Sequence, residues 1–420
     1  MSFSFIHAAD LHLDSPLRGL EAREGAPVER LRQATRQALV RLVDLALQRR
    51  VAFVVIAGDV YDGDWKDAHT GRFFFAQMAR LTRGGIRVFL IHGNHDAASI
   101  VSQQLTLPEG VTVFSSRKAE TVHWPELELA VHGRSFPRRE VPENWVPEYP
   151  EAVAGCFNLG LLHTSADGRP GHHTYAPCQV SELAGKGYQY WALGHVHEYA
   201  LLHQHPHVVF SGCVQGRHIN ETGPKGCVVV TVTDRQVSDL QFEPLSVVRW
   251  ESATIDLSEV AAREPALALI RTALAGQLAR TSEDLLALRL TLTGRCPLHQ
   301  QLFANADRLA EFQTDIHNLA EEELGSGRIW LERLSVATEA PVDLAALSAQ
   351  EDSLGRLLRY LQEPLTPAAR AELLASMQDF IAFCPDAAKL PDLAGDEATW
   401  AQLQREMVTL LLPRLRSEGR

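Results

Sequence analysis

Val51-Ala52-Phe53-Val54-Val55-Ile56-Ala57-Gly58-Asp59 is an apolar, β-branched run that ends abruptly on a glycine and a carboxylate. Continuous apolar runs of this length read as strands buried on both faces of a sheet. The glycine lets the backbone beyond the strand come close to whatever the carboxylate holds. The same grammar recurs on either side. Phe3-Ser4-Phe5-Ile6 leads to Asp10-Leu11-His12, and Val88-Phe89-Leu90-Ile91-His92 leads to Gly93-Asn94-His95-Asp96. Further on, Phe157-Asn158-Leu159-Gly160-Leu161-Leu162 leads to His163, and Tyr190-Trp191-Ala192-Leu193 leads to Gly194-His195-Val196-His197. Helical patterns lie between the first three strands. Leu31, Ala34, Ala38, Leu42 and Leu45 mark one over residues 28–50, and another over 68–83 stops at Gly84-Gly85. With strands again near 208–242, the chain suits two packed mixed sheets flanked by helices, an α/β (mixed α+β) fold.

Each strand end carries a metal-binding residue type. A phosphodiester resists attack because its charge repels the nucleophile, and two cations roughly 3.5–4 Å apart can activate a water and stabilise charge developing on phosphorus. Asp10, His12, Asp59, Asn94, His163, His195 and His197 supply a cage for such a pair. Asp10 and His12 lie two apart, so strand alternation can turn both to one face. The Asp59 carboxylate is the natural bridge. Any single piece also fits an ordinary turn or cap, and it is the joint occurrence of all five, in this order and each behind a strand, that points to metal chemistry. Mixed imidazole and carboxylate ligation suits manganese, iron or zinc better than an all-oxygen magnesium site, with manganese the first expectation.

These residues resemble the calcineurin-like metallophosphoesterase superfamily over about the first 240 positions. The resemblance implies a four-layer αββα sandwich in which one metal is held by Asp10, His12, Asp59 and His197 and the other by Asp59, Asn94, His163 and His195. It implies that His95 is the general acid or transition-state stabiliser, and that Asp62 is the acidic partner orienting it. A carboxylate bonded to an imidazole raises its pKa and fixes its tautomer, as a proton donor near neutral pH requires. Protein phosphatases of the superfamily carry an arginine and a glutamate where this chain has Gly63 and Asp96. Ile6 to Leu17, Gly58 to Asp62 and Gly194 to Glu198 look instead like the SbcD-type DNA repair exonucleases, and Asp14-Ser15-Pro16-Leu17 is most similar to the YhaO-like branch. Some relatives of that nuclease place histidine where Asp62 stands.

A chain of 420 residues, 45% hydrophobic, can bury a sizeable core and divides into two or three domains. No run approaches the ~20 apolar residues of a membrane helix, and residues 1–9 lack the basic start and the length of a signal peptide, so a cytoplasmic location is expected. Six cysteines show neither a Cys-x-x-Cys pair nor a regular framework and are expected to be reduced and structural. The net charge of −12 leaves any basic groove local. Arg217, His218 and Lys225 are the candidates for backbone phosphate contacts. His172, His173, His203, His205 and His207 are read as surface histidines rather than a third metal patch.

From Ser246 the pattern restarts as strand 247–257, helix 259–280, strand 285–293, helix 298–324 and strand 328–337. The expected organisation is a nuclease domain over 1–245, a small α/β domain over 246–340 resembling the capping domain of these exonucleases, and a helical tail over 341–420. In the tail, Thr366-Pro367 starts a helix carrying Leu373, Met377 and Phe380 on one face. A second stripe runs through Trp400, Leu403, Met407, Leu410 and Leu411. In the family the corresponding tail grips the coiled coil of an SMC-like ATPase, which makes such a protein, with DNA, the implied partner; a homodimer stays open. The chain has no Gly-x4-Gly-Lys-Ser/Thr loop of its own. The leading function is a two-metal DNA exonuclease, with endonuclease action in reserve. The alternatives are a small-molecule or cyclic-nucleotide phosphodiesterase of the same fold and a non-catalytic adaptor, the last disfavoured by the complete ligand set.

Overall fold

The computed structural model describes residues 2–16, 25–62, 68–98, 107–168, 175–324, 327–341, 347–363, 366–376, 399–404 and 406–408. Two six-stranded sheets dominate. The first has the order β12-β11-β1-β2-β3-β4, formed by Gln236–Pro244, Gly226–Thr233, Ser2–Ala8, Phe53–Ala57, Arg87–Ile91 and Val111–Val113. The second has the order β5-β6-β7-β8-β10-β9, formed by Glu120–Trp124, Leu129–Gly133, Phe157–His163, Tyr190–Gly194, His207–Phe210 and Ala200–Gln204. Each has a parallel centre, β1-β2-β3-β4 in one and β6-β7-β8-β10 in the other, with antiparallel strands at the margin.

The period-2 alternation of the strands explains the layering. Phe5, Phe53, Val55 and Phe89 turn inward and pack with Leu129, Phe157, Leu159 and Tyr190 of the facing sheet. Their neighbours Ile6, Val54, Ile56, Val88 and Leu90 turn outward under helix α1 (Val28–Arg49) and helix α2 (Ala68–Arg83). The residues of α1 at helical spacing, Leu31, Ala34, Ala38 and Leu42, are all buried, as the periodicity predicts, and Leu45 is partly buried. On the far side Leu162, Trp191, Leu193 and Phe210 pack against Trp145, Tyr149 and Leu183, the last from the short helix Val180–Gly185. The result is the mixed α/β sandwich expected. Strands β4, β5 and β6 carry no motif and were not separated by the sequence reading.

The chain partitions into two compact units. One comprises Met1–Ser252, Leu278–Arg289 and Gly327–Glu332; the other comprises Ala253–Gln277, Leu290–Ser326 and Arg333–Arg420. A three-stranded sheet, β13 (Val248–Asp256), β14 (Leu285–Thr293) and β15 (Ile329–Val336), matches the three strands expected there. The single helix expected over 298–324 is instead Leu298–Leu302 and Ala306–Asn318, followed by a short π-helix over Leu319–Leu324. Asn305 causes the break: its side chain caps Arg308 N at 2.9 Å and starts a new helix.

In the tail, helix Pro367–Ser376 begins where Thr366-Pro367 predicts, and Thr366 Oγ1 accepts from Ala369 N at 3.3 Å. Leu347, Leu358 and Val408 form a small cluster, and Trp400 is buried. Leu373 and Met407 are exposed. Met377, Phe380, Leu410 and Leu411 lie outside the described residues. No helix among the described residues is long and apolar enough to cross a membrane. Among the described cysteines, Cys178, Cys213, Cys227 and Cys296 are buried free thiols, and Cys156 is half-buried.

Candidate metal centre

Parallel register sets the site. Ala8 is level with Ile56, Ala57 with Ile91 and His163 with Gly194, so the segments leaving β1, β2, β3, β7 and β8 emerge together. This is where open α/β sheets place their sites. Asp10 N donates to Gly58 O and His12 N to Asp59 O, each at 3.0 Å, so the Asp-Leu-His and Gly-Asp segments run side by side. The backbone there is strained: φ is 51° at Asp10, 42° at His12, 53° at Asp59 and 101° at His195. Such conformations cost of order 1–3 kcal/mol each and persist where the surroundings over-determine them, chiefly at functional sites.

Two carboxylates pin these loops. Asp96 Oδ2 accepts from Val60 N at 3.1 Å and Gly93 N at 3.0 Å, while Oδ1 accepts from Tyr61 N at 2.9 Å, which stitches the β2 and β3 exits together. Asp14 takes a forked contact from Arg36 of α1, Nε at 2.7 Å and an Nη at 2.5 Å, and the hydroxyl of Thr70 on α2. Glycine keeps space open between the pins. A Cβ at Gly93 would stand 2.2 Å from Asp59 Oδ1, and one at Gly194 would stand 2.0 Å from Ala57 O.

The candidate donors converge. His12 Nε2 lies 3.2 Å from His197 Nε2 and 3.9 Å from Asp59 Oδ2. His197 Nε2 lies 3.8 Å from Asp10 Oδ1. On the other side, His163 Nε2 is 2.8 Å from Asn94 Oδ1 and 3.4 Å from the same Asp59 Oδ2, which therefore stands between the two groups. His195 sits over His163, ring to ring at 5.3 Å, and its backbone N–H donates to both Asp10 oxygens at 3.1 and 2.9 Å. Asp10, His12 and His197 form one set with donor atoms within 4.8 Å of one another; Asp10, Asp59 and His163 form a second.

The set fits a divalent cation. His163 Nδ1 lies 2.9 Å from Ala57 O and His197 Nδ1 lies 2.7 Å from Glu221 Oε1. Each Nδ1–H therefore has an outward acceptor, which leaves the Nε2 lone pair aimed inward, as for metal-ligating histidines with an outer partner. Electrostatics agree. Burial pushes the Asp10 carboxyl up to about 6 although His197 and His163 pull it down. For Asp59 burial acts upward, yet His163 and His12 outweigh it and hold the carboxyl well below its ordinary range. Burial opposes charge on His163, but Asp59 overcomes it and pushes the imidazole up to about 9. Buried carboxylates that recruit protons onto neighbouring imidazoles are asking for a cation, and metal binding releases such protons.

Beside this set stands a histidine paired with a carboxylate. His95 Nδ1 is 2.9 Å from Asp62 Oδ1, and Ser15 Oγ donates to Asp62 Oδ2 at 2.5 Å. The His95 ring lies edge-on to His12 at 5.0 Å, and its backbone N–H donates to Asp59 Oδ1 at 2.9 Å. Its side chain is 28% exposed where that of His12 is 1%, so it is reachable from solvent. Burial lowers its basicity, but the Asp62 hydrogen bond and the Asp59 charge more than offset this and leave the pKa raised.

The three residues expected to touch phosphate part company. Arg217 is half-buried, its guanidinium donating to Glu221 Oε1 at 2.8 Å and lying 3.7 Å from Asp62 Oδ2. Lys225 is 5% exposed, and its ammonium donates to His197 O at 3.0 Å. Neither presents its charge on an open surface. His218 does, half-exposed, 3.6 Å from Glu221 Oε1. His203, His205 and His207 sit on the β9–β10 hairpin and form no metal group among the described residues, while His172 and His173 lie outside them, as does Gly63. The sequence reading missed Glu221, which lies 24 residues beyond His197 with no periodicity linking the two. It also missed the loop-pinning work of Asp96.

Residues 3–199 match the calcineurin-like phosphoesterase family, and residues 250–339 match the middle domain of metallophosphoesterase YhaO. The chain is 32% identical to the uncharacterized metallophosphoesterase YhaO of Bacillus subtilis, over 82% of its own length and 84% of the relative's. It belongs to the YhaO family of calcineurin-like metallophosphoesterases. Similarity to two further proteins is more local. A DNA double-strand break repair protein Mre11 from Methanopyrus kandleri is 23% identical over 46% of the chain and 44% of that protein. The SbcD component of nuclease SbcCD from Rhodobacter capsulatus is 31% identical over 25% of the chain and 24% of that protein. A YhaO-type metallophosphoesterase is a phosphoester hydrolase that works with divalent metal, and the donor groups described above suit that requirement.

Proposed function

We propose that this chain is a metal-dependent DNA nuclease that hydrolyses phosphodiester bonds, an exonuclease first and an endonuclease on suitable substrates. The observation that carries the reading is the His95–Asp62 pair, 2.9 Å between Nδ1 and Oδ1, beside the convergent donor set. Two bound divalent ions, manganese in our reading with iron or zinc as alternatives, supply charge neutralisation and water activation. Asp10, His12, Asp59 and His197 would hold one and Asp59, Asn94, His163 and His195 the other. The rest is work for the protein. His95 delivers a proton to the departing oxygen, and Asp62 keeps Nδ1 protonated and Nε2 turned to the substrate. The local likeness to proteins named for DNA break repair and nuclease action supports DNA as the substrate.

The same reading makes residues 1–245 the nuclease domain, 246–340 a cap and 341–420 a tail that binds an SMC-like ATPase, in the cytoplasm. Exposed Leu373 and Met407 support the tail's part. A second reading has its own observation. With Arg217 and Lys225 turned inward on a chain of net charge −12, a small or cyclic phosphodiester is an alternative substrate.

The deciding experiment is manganese-dependent cleavage of end-labelled linear and hairpin DNA, beside bis-p-nitrophenyl phosphate and a cyclic nucleotide, with a His95→Ala control. DNA cleavage that disappears in the control is expected. Turnover of the small diesters alone would replace the nuclease by the second reading.

A further inference from the structure

Arg217 occupies an unusual place for a cation. Its side chain is 14% exposed and lies between two carboxylates that each back a histidine of the site. On one side are Asp62 and, beyond it, His95. On the other are Glu221 and, beyond it, His197. The contact with Glu221 is extensive: an Nη donates to Oε1 at 2.8 Å, the backbone N–H to Oε2 at 2.7 Å, and Nε reaches Oε2 at 3.4 Å. Asp62 Oδ2, 3.7 Å from the other Nη, also takes the Ser15 hydroxyl. His95, Asp62, Arg217, Glu221 and His197 thus form one chain of alternating charge that starts at the proton donor and ends on a candidate metal ligand.

The contacts argue against a phosphate role. The guanidinium is already engaged by two carboxylates, Glu221 and Asp62, so little of its charge or hydrogen-bonding capacity is left for a phosphate. The geometry suits positioning instead. A planar fork can serve two carboxylates at once, whereas an ammonium is a single point charge.

We propose that Arg217 is a positioning residue that couples the two halves of the site, fastening Asp62 behind His95 and Glu221 behind His197 so that proton donor and metal cage keep one geometry. Outer partners of metal-bound histidines are worth roughly 10–100-fold in metal affinity or activity. Arg217 acts through both pairs and so affects two properties that a general packing defect would not move together in a pattern. The first is metal affinity, through Glu221 and His197. The second is leaving-group dependence, through Asp62 and His95, because an activated leaving group departs without a proton and a DNA leaving oxygen does not. This second consequence rests on the nuclease reading; the first does not.

The test uses the full chain with Arg217→Lys and, as a second variant, Glu221→Gln. Manganese affinity is read by calorimetry, cleavage is read on DNA and on bis-p-nitrophenyl phosphate, and folding is checked by thermal unfolding. For Arg217→Lys the expected result is a manganese affinity lower by roughly 10-fold and a loss on DNA at least several-fold larger than on the activated diester. Glu221→Gln should weaken manganese binding by a similar factor with the smaller change in leaving-group dependence. Unchanged manganese affinity in both folded variants overturns the proposal, as does an equal proportional loss on both substrates in Arg217→Lys. If Arg217→Lys does not fold, Glu221→Gln decides by the metal arm. A native chain that cleaves neither substrate overturns the nuclease reading alone, and the manganese affinities then decide the coupling.

Discussion

His95 Nδ1 and Asp62 Oδ1 stand 2.9 Å apart, and the same carboxylate oxygen lies 3.8 Å from His12 Nδ1, so the pair borders the convergent donors. Burial works against charge on His95, and the Asp62 bond more than offsets it, leaving the pKa above the ordinary value of 6.5. A proton donor acts while protonated, so the role proposed for His95 predicts activity that persists below this raised pKa and falls as pH climbs through it. Asp62→Asn removes the carboxylate charge and keeps the size. Turnover should fall on the order of 100-fold, and the alkaline fall of the rate should move to lower pH. A pH–rate profile of the variant whose alkaline limb coincides with that of the native chain would remove Asp62 from this role.

Gly93 faces the Asp59 carboxylate so closely that a Cβ would lie 2.2 Å from Oδ1 and 2.8 Å from His163 Cε1. Both neighbours are candidate ligands held by further bonds, so neither can retreat without losing its aim. Gly93→Ala should therefore weaken manganese binding by roughly 10-fold or more while the sandwich still folds. Calorimetric titration with manganese, beside a far-ultraviolet spectrum, checks both halves of the expectation.

Lys225 is a buried lysine whose ammonium donates to the His197 carbonyl at 3.0 Å. Losing it leaves that carbonyl with the Cys213 N–H at 3.4 Å and removes a charge-assisted hydrogen bond worth about 1.5–3 kcal/mol. Lys225→Met should lower the unfolding midpoint and loosen the His195–His197 segment. DNA binding should keep its dependence on salt, since a lost phosphate contact would reduce the slope by nearly one. A reduced slope at unchanged stability would return Lys225 to the surface role that its position in a Pro-Lys-Gly turn first suggests.

What the sequence made legible follows from which forces are local. The buried strands behind Asp10, Asp59, Asn94, His163 and His195 announce themselves by apolar runs, and the helices over Val28–Arg49 and Ala68–Arg83 by their period. Register then brings the strand ends level, so a one-dimensional order of motifs became a three-dimensional cage. Side-chain commitments were not legible. Arg217, Lys225 and Glu221 sit in one Gly- and Pro-containing stretch that reads as surface loop, and only the fold folds it back under His197. The helix break at Asn305 was missed for the opposite reason: apolar spacing continues through it, and a local cap outweighs the period.

Two histidines away from the donor set make acid stability predictable. His7, fully buried on β1, takes the Tyr190 hydroxyl at Nδ1, 3.0 Å away, and reaches Leu193 O from Nε2 at 3.2 Å. His132 on β6 lies between Thr121 Oγ1 at 2.8 Å and Asn158 Oδ1 at 3.0 Å. Burial, ahead of all other effects, depresses His7 to about 3 and His132 to about 4 from 6.5. The unfolded chain therefore binds more protons than the folded one between those limits. The stability these neutral rings contribute is complete above pH 6.5 and drains as pH falls toward 4 and then 3, at up to about 1.4 kcal/mol per pH unit for each ring. Thermal unfolding of the native chain should lose midpoint steadily from pH 7 to pH 4.5. His7→Gln, which keeps a donor for Leu193 O but no titrating group, should show a shallower loss over the same range, and an equally steep one would mean that His7 is not a source of the acid sensitivity.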